Sequence, residues 1–178
     1  MQASHLRCQT RQAHGGALHC FVLDCSASML ADGHLAEAKG VLLALMEEAY
    51  RRRDQVALLC FGGNGVALRL PPRRAALWND DWIAPIGGGG GTPLAQAVAE
   101  ADALLARHAA SQRWLWLLSD GRTRESPARP ASADRAVVID FESARAPLRR
   151  AAALAARWGA DYRAGPYGVG TFTNTGFE

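Results

Sequence analysis

Whole classes of protein are excluded by what this sequence lacks. It has no uninterrupted apolar run of about 18 residues, so a membrane-spanning helix is not expected. Its first 16 residues are polar, unlike a secretory leader, and a cytoplasmic location is expected. The cysteines Cys8, Cys20, Cys25 and Cys60 include no C-x-x-C pair, which argues against a zinc ribbon or a dithiol redox motif. A zinc site from His14, His19 and Cys20 would lack a fourth ligand at a recognisable spacing. Lysine is almost missing: Lys39 is the one basic residue of 20 that is not arginine. The formal net charge of +3 is too small to argue for nucleic acid. Neither G-x-x-x-x-G-K-[ST] nor G-x-G-x-x-G occurs, so no nucleotide site is visible. There is no G-x-S-x-G and no D-x-D, and no histidine is tied by sequence to a nucleophile, which argues against catalysis.

What is present describes one domain. At 178 residues, 49% hydrophobic and 21% charged, the chain can bury a real core. The expected layout is an N-terminal arm over 1–17, a domain over 18–164 and a C-terminal tail over 165–178. Residues 18–23 form a continuous apolar run ending at Asp24, the pattern of a buried strand. Leu35, Ala38, Leu42, Leu45, Met46 and Ala49 have helical spacing, with Asp32 near the helix start. Residues 55–61 and 66–70 read as strands joined by the glycine-rich turn 62–65, so the second should be an antiparallel edge strand that Pro71-Pro72 ends. A short helix is expected over 73–82 and another over 94–108, after Thr92-Pro93. A strand over 114–119 ending at Asp120, a strand over 135–140, a helix over 144–158 and a short strand over 161–163 complete the series. Alternation of this kind predicts an α/β, Rossmann-like doubly wound sheet, mostly parallel with one antiparallel edge strand and helices on both faces.

In such sheets ligands gather beyond the carboxyl ends of the strands. Asp24 and Asp120 both fall there. In an extended segment Asp24, Ser26 and Ser28 would face one way, and Cys25 would point aside. Thr92 adds a hydroxyl after the run of five glycines, 87–91. These five side chains offer only oxygen, the preference of a hard cation such as Mg²⁺. They would fill its six positions incompletely, leaving room for an outside oxygen. Soft ligands are missing, which disfavours zinc and copper. Taken singly, Asp24 and Ser26 could simply cap the next helix and Asp120-Gly121 could be an ordinary turn.

The motifs Asp24-Cys25-Ser26-Ala27-Ser28, Thr92 and Asp120-Gly121 resemble the metal-ion-dependent adhesion site of von Willebrand factor A domains. Ala38-Lys39-Gly40, Asp54-Gln55-Val56-Ala57-Leu58, Leu70-Pro71-Pro72, Gly91-Thr92-Pro93-Leu94-Ala95 and Val138-Ile139-Asp140 look like the C-terminal domain of magnesium chelatase D subunits. The resemblance implies a metal set of Asp24, Ser26, Ser28, Thr92 and Asp120 around Mg²⁺, with Mn²⁺ and Ca²⁺ as alternatives. It implies a protein-binding module that grips an acidic residue of a partner. That partner would be an AAA+ ATPase, supplied in trans, in a magnesium or cobalt chelatase-like complex. A Mg²⁺-dependent hydrolase using the same ion is the alternative. Two departures stand out: Ala27 where glycine is common, a strain if φ must be positive, and Ser119 where threonine is more usual.

Other features carry milder expectations. The glycine run would give Thr92 freedom to move. Arg51-Arg52-Arg53 would complement the end of its helix dipole or dock an acidic partner. Trp78 and Trp82 are spaced as an interface pair, and His34 and His108 are expected in solvent.

Overall fold

The computed structural model describes residues 16–77, 86 and 88–165. In chain order the elements are β1 (Leu18–Asp24), α1 (Ala27–Ala31), α2 (His34–Arg51), β2 (Gln55–Gly62), β3 (Gly65–Arg74), α3 (Leu94–Arg107), β4 (Arg113–Ser119), β5 (Arg135–Asp140), α4 (Arg150–Trp158) and β6 (Asp161–Ala164). One six-stranded sheet has the order β3-β2-β1-β4-β5-β6. All neighbouring pairs are parallel except β2 with β3. The expected sheet is therefore the observed one.

Burial explains the sequence pattern. β1 lies in the middle of the sheet and every one of its seven residues is buried, because a parallel strand covered on both faces has no polar side. Its side chains alternate between two cores. Phe21 and Leu23 meet α2 through Leu35, Ala38, Leu42 and Met46 on one face. Cys20 and Val22 meet α3 and α4 through Val98, Ala101, Leu154 and Trp158 on the other. Cys20 and Cys60 are buried free thiols, used as small hydrophobes. Among the described residues no helix is long and apolar enough to cross a membrane.

Several elements differ from expectation for local reasons. β3 runs through Pro71 and Pro72 to Arg74. An edge strand can carry prolines because one side of its backbone has no ladder to serve. Arg73 and Arg74 are thus extended and 75–77 are irregular rather than helical, while 78–82 of that expected helix, with the Trp78–Trp82 pair, lies outside the described residues. α4 starts at Arg150 rather than Ala144, since Pro147 interrupts the run and Glu142 accepts the Leu148 and Arg149 backbone N–H groups at 2.7 and 2.9 Å. Gly33, at φ +76°, rather than Asp32, caps α2. Nearly all of the arm and tail falls outside the described residues.

At the amino ends of the strands, a buried polar network ties three of them together. Trp116 Nε1–H donates to His19 Nδ1 at 3.1 Å. That fixes the proton on His19 Nε2, which faces Asp54 Oδ2 at 3.2 Å. Asp54 Oδ1 in turn accepts the Ala17 N–H at 2.8 Å. His19 is thereby committed to structure and is no zinc ligand. Replacing it with leucine strands a buried indole N–H and a buried carboxylate oxygen. His19→Leu is expected to lose about 2–4 kcal/mol of stability, read as a lower urea midpoint with an unchanged m-value.

Candidate functional site

Parallel pairing of β1 with β4 sets Leu23 against Leu118, so Asp24 and Ser119 end the two central strands side by side, with Asp120 next. The chain then turns sharply at both ends. Asp24 Oδ1 accepts the Ser26 N–H at 2.8 Å, and Asp24 Oδ2 accepts the Ser119 hydroxyl at 2.6 Å. Ser119 Oγ also accepts the Gly121 N–H at 3.0 Å. Gly121 sits at φ +66°, and a Cβ there would meet the Ala151 backbone nitrogen at 2.8 Å. Only glycine allows Asp120 to be followed by this turn.

Ser26 and Ser28 come together by a route other than strand alternation. Ser26 is the N-cap of α1 and Ser28 lies inside that helix, so the helical turn, not an extended segment, brings their hydroxyl oxygens to 3.2 Å. Ser26 makes no side-chain cap bond, which leaves its hydroxyl facing Ser28 instead of serving the helix. Ala27 has no positive φ, so the departure from glycine costs no strain. Cys25 is buried within the α2-side core, away from the oxygen cluster as expected.

The glycine run holds the loop by close packing. Gly90 O accepts the Ala27 N–H at 3.3 Å, Gly89 N–H donates to Cys25 O at 2.8 Å, and Gly63 N–H donates to Gly89 O at 2.6 Å. A Cβ on Gly63 would sit 2.4 Å from Gly90 Cα, and one on Gly90 would sit 2.2 Å from Gly63 Cα. Three backbone segments stack here with no room for side chains. Thr92 follows two residues later, half-buried, just before α3. Among the described residues its hydroxyl joins none of the hydrogen bonds that link Asp24, Ser26, Ser28 and Ser119.

The electrostatics are unbalanced. Asp24 is fully buried and Asp120 is 2% exposed. Burial raises the Asp24 carboxyl above its ordinary range, the hydrogen bonds from Ser119 and Ser26 oppose that, and the Asp120 charge adds to it. Asp120 Oδ1 accepts the Arg122 N–H at 3.0 Å, but Oδ2 is buried with no hydrogen-bond partner. The Arg122 guanidinium stands 3.9 Å from that oxygen and spends its closer contact, 2.9 Å, on Asp32. A buried carboxylate oxygen left like this is costly unless a cation or water completes it. The donor set of hydroxyls and carboxylates fits a hard cation and does not fit a soft one. Among the described residues no group of three or more His, Cys, Asp or Glu side chains is placed to hold a metal ion.

Sequence reasoning missed two partners here. Ser119 positions Asp24, although only its hydroxyl at a strand end hinted at that. His34 was expected in solvent but is 3% exposed, with Nε2 and Ser143 Oγ 2.7 Å apart. His34 Nδ1 has no partner, so no carboxylate orients the ring as a catalytic base would require. His108 is half-buried, its Nδ1–H donating to Leu104 O at 2.9 Å.

Comparison with known proteins matches this geometry. The solved structure of an aerotolerance-related membrane protein from Bacteroides fragilis overlays with a TM-score of 0.64 at 18% identity, covering 87% of this chain and 94% of that one. The SpRpn10 VWA domain overlays with a TM-score of 0.59 at 9% identity, covering 86% and 91%. At such identities the likeness is one of fold. In sequence, Rv2850c of Mycobacterium tuberculosis is 35% identical over 165 residues, 84% of this chain and 26% of that protein. The magnesium-chelatase 60 kDa subunit of Cereibacter sphaeroides is 43% identical over 104 residues, 57% of this chain and 18% of the subunit. The chain thus spans about a quarter or less of these relatives' own length. The sequence profile of the von Willebrand factor type A domain matches residues 20–122, more than half of the chain. With the sheet order, the strand-end acids and the serine turn all in place, this chain belongs to the von Willebrand factor type A domain family and resembles the magnesium chelatase branch of it.

Proposed function

We propose that this domain binds a protein partner through a Mg²⁺-class ion held at Ser26, Ser28, Thr92, Asp24 and Asp120. The observation that carries the reading is Asp120 Oδ2, a buried carboxylate oxygen without a hydrogen-bond partner, beside the fully buried Asp24. A divalent cation there would offset two like charges that burial and proximity make unfavourable. Asp120 Oδ2 and the Ser26 and Ser28 hydroxyls would hold the ion. Both oxygens of Asp24 already accept hydrogen bonds, and its carboxylate would help to balance the charge of the ion. Thr92, half-buried just before α3, would supply the remaining protein hydroxyl. When bound, the ion supplies an electrophilic position for an outside carboxylate, an Asp or Glu of the partner.

The partner we propose is an AAA+ ATPase of a chelatase-like complex. The support is kinship: relatives named as magnesium-chelatase subunits share 43% and 39% identity with this chain over 104 and 98 residues. The chain's own residues act by holding the site and excluding bulk water from it, and no side chain in the cluster is arranged as a nucleophile.

Four outcomes follow. Magnesium at about 100 times its Kd is expected to stabilise the fold by about 2.7 kcal/mol, read as a rise in Tm. In Asp120→Asn the metal-free Tm should rise, because one of two buried like charges is gone, and the Mg²⁺ increment should vanish. If Asp120→Asn lowers the metal-free Tm and keeps the increment, the ligand assignment is wrong. Ser119→Ala, which removes the donor that orients Asp24, should weaken Mg²⁺ binding about 10–100-fold by calorimetry, whereas Ser119→Thr should keep it. Capture of an AAA+ partner on immobilised domain should be lost with EDTA and with Asp120→Asn; capture indifferent to both would reject the ion-bridged contact.

A further inference from the structure

Arg122 stands near two acids in unlike surroundings. Its Nη1 lies 2.9 Å from Asp32 Oδ2, and its Nε lies 3.9 Å from Asp120 Oδ2. The Asp32 side chain is 41% exposed, that of Arg122 33%, and that of Asp120 only 1%. Exposure weakens the first contact, because solvent screens both charges. A guanidinium on the buried oxygen would gain more from the lower local dielectric, but it would give up more of its own hydration. Arg122 takes the exposed acid and leaves Asp120 Oδ2 without a hydrogen bond. At 3.9 Å it is out of hydrogen-bond range, yet a displacement of about 1 Å would bring it in.

The surrounding backbone holds both attachment points. Arg122 N–H donates to Asp120 Oδ1 at 3.0 Å, and Thr123 N–H donates to Gly121 O at 2.8 Å. Arg150 Nη1 donates to Thr123 O at 3.0 Å. The turn that carries Arg122 is therefore pinned to the same acid that its side chain leaves unbonded. Asp32 is the C-cap of α1, and its N–H donates to Ser28 O at 3.3 Å. The acid that holds the guanidinium aside thus belongs to the same short helix as the Ser28 hydroxyl. With both backbones held, a change of contact needs only a change of Arg122 rotamer.

We propose that Arg122 is a resident cation that competes with the metal ion for Asp120 Oδ2, and that Asp32 is the positioning residue that holds it aside. The proposal rests on the ion-binding reading of the site. With Arg122 on Asp32, as observed, Oδ2 is open to an ion. With Arg122 on Asp120, the guanidinium supplies the charge balance, and a second cation at the same oxygen is repelled. Arg122 therefore opposes the ion, and Asp32 favours it by way of Arg122. Plain through-space attraction gives the same two signs, but its effects add. Competition makes the effect of Asp32 depend on the presence of Arg122.

The test is Mg²⁺ titration by calorimetry on the parent, Asp32→Ala, Arg122→Gln and the double variant, at about 0.15 M salt to screen distant charges. Asp32→Ala is expected to weaken binding about tenfold, and Arg122→Gln to tighten it. The double variant should match Arg122→Gln within about twofold, because Asp32 then has nothing to hold. A second measurement needs no metal. In EDTA, Arg122→Gln should lower the urea midpoint in the Asp32→Ala background, where the guanidinium has moved to Asp120, and that loss should vanish when Asp120→Asn is added. Equal weakening by Asp32→Ala with and without Arg122 overturns the proposal and leaves the ion reading intact. So does a midpoint in the Asp32→Ala background that Arg122→Gln does not move. A parent that binds no Mg²⁺ overturns both.

Discussion

Two acids buried side by side at the ends of neighbouring parallel strands are the constraint from which the rest of the carboxyl end follows. Asp24 is completed by its neighbours: a serine hydroxyl from β4 and an amide from the turn into α1. Asp120 is only half completed. Because β1 and β4 are adjacent and parallel, neither acid can retreat from the other without breaking the central ladder of the sheet. The local sequence is shaped around that fact. Gly121 lets the chain leave Asp120 abruptly, Ser26 leaves its hydroxyl unspent on the helix it starts, and the Arg122 side chain is drawn off toward Asp32.

The fold was legible because its signals were periodic. Central strands buried on both faces gave unbroken apolar runs, and α2 and α3 gave the 3.6-residue spacing of one covered face. The five candidate site residues were legible as chemistry, since each is an oxygen donor at a strand end or a helix start. The route by which Ser26 and Ser28 meet was not legible. α1 has five residues, too few for a periodic signal, so the segment passed for extended chain. Ser119 and His34 were missed for another reason. Their partners, Asp24 and Ser143, lie 95 and 109 positions away in the chain, and spacing within a window carries no information about such pairs. Proline misled in two opposite ways. Pro71-Pro72 signalled a stop where an edge strand could continue, while Pro147 was a stop that the expected helix ran through.

The glycine run that would give Thr92 freedom to move has a second use at 88–90. A run of glycine suggests freedom, yet here it serves contact. The turn between β2 and β3 presses on the loop before α3 so closely that a single methyl on either side would part them. That contact also carries the backbone bond to Ala27, so it helps to set the distance between the serine turn and the threonine.

The outer strand β3 is ten residues long, enough to recruit a neighbouring sheet. It carries two prolines, each lacking the amide such recruitment needs, and three exposed arginines that would repel a copy of themselves. At the opposite border β6 offers four residues. Lateral growth into larger sheets is therefore discouraged on both flanks. Joining to a neighbour by extending the sheet through β3 is disfavoured, which leaves the helical faces and the strand ends as the surfaces for contact.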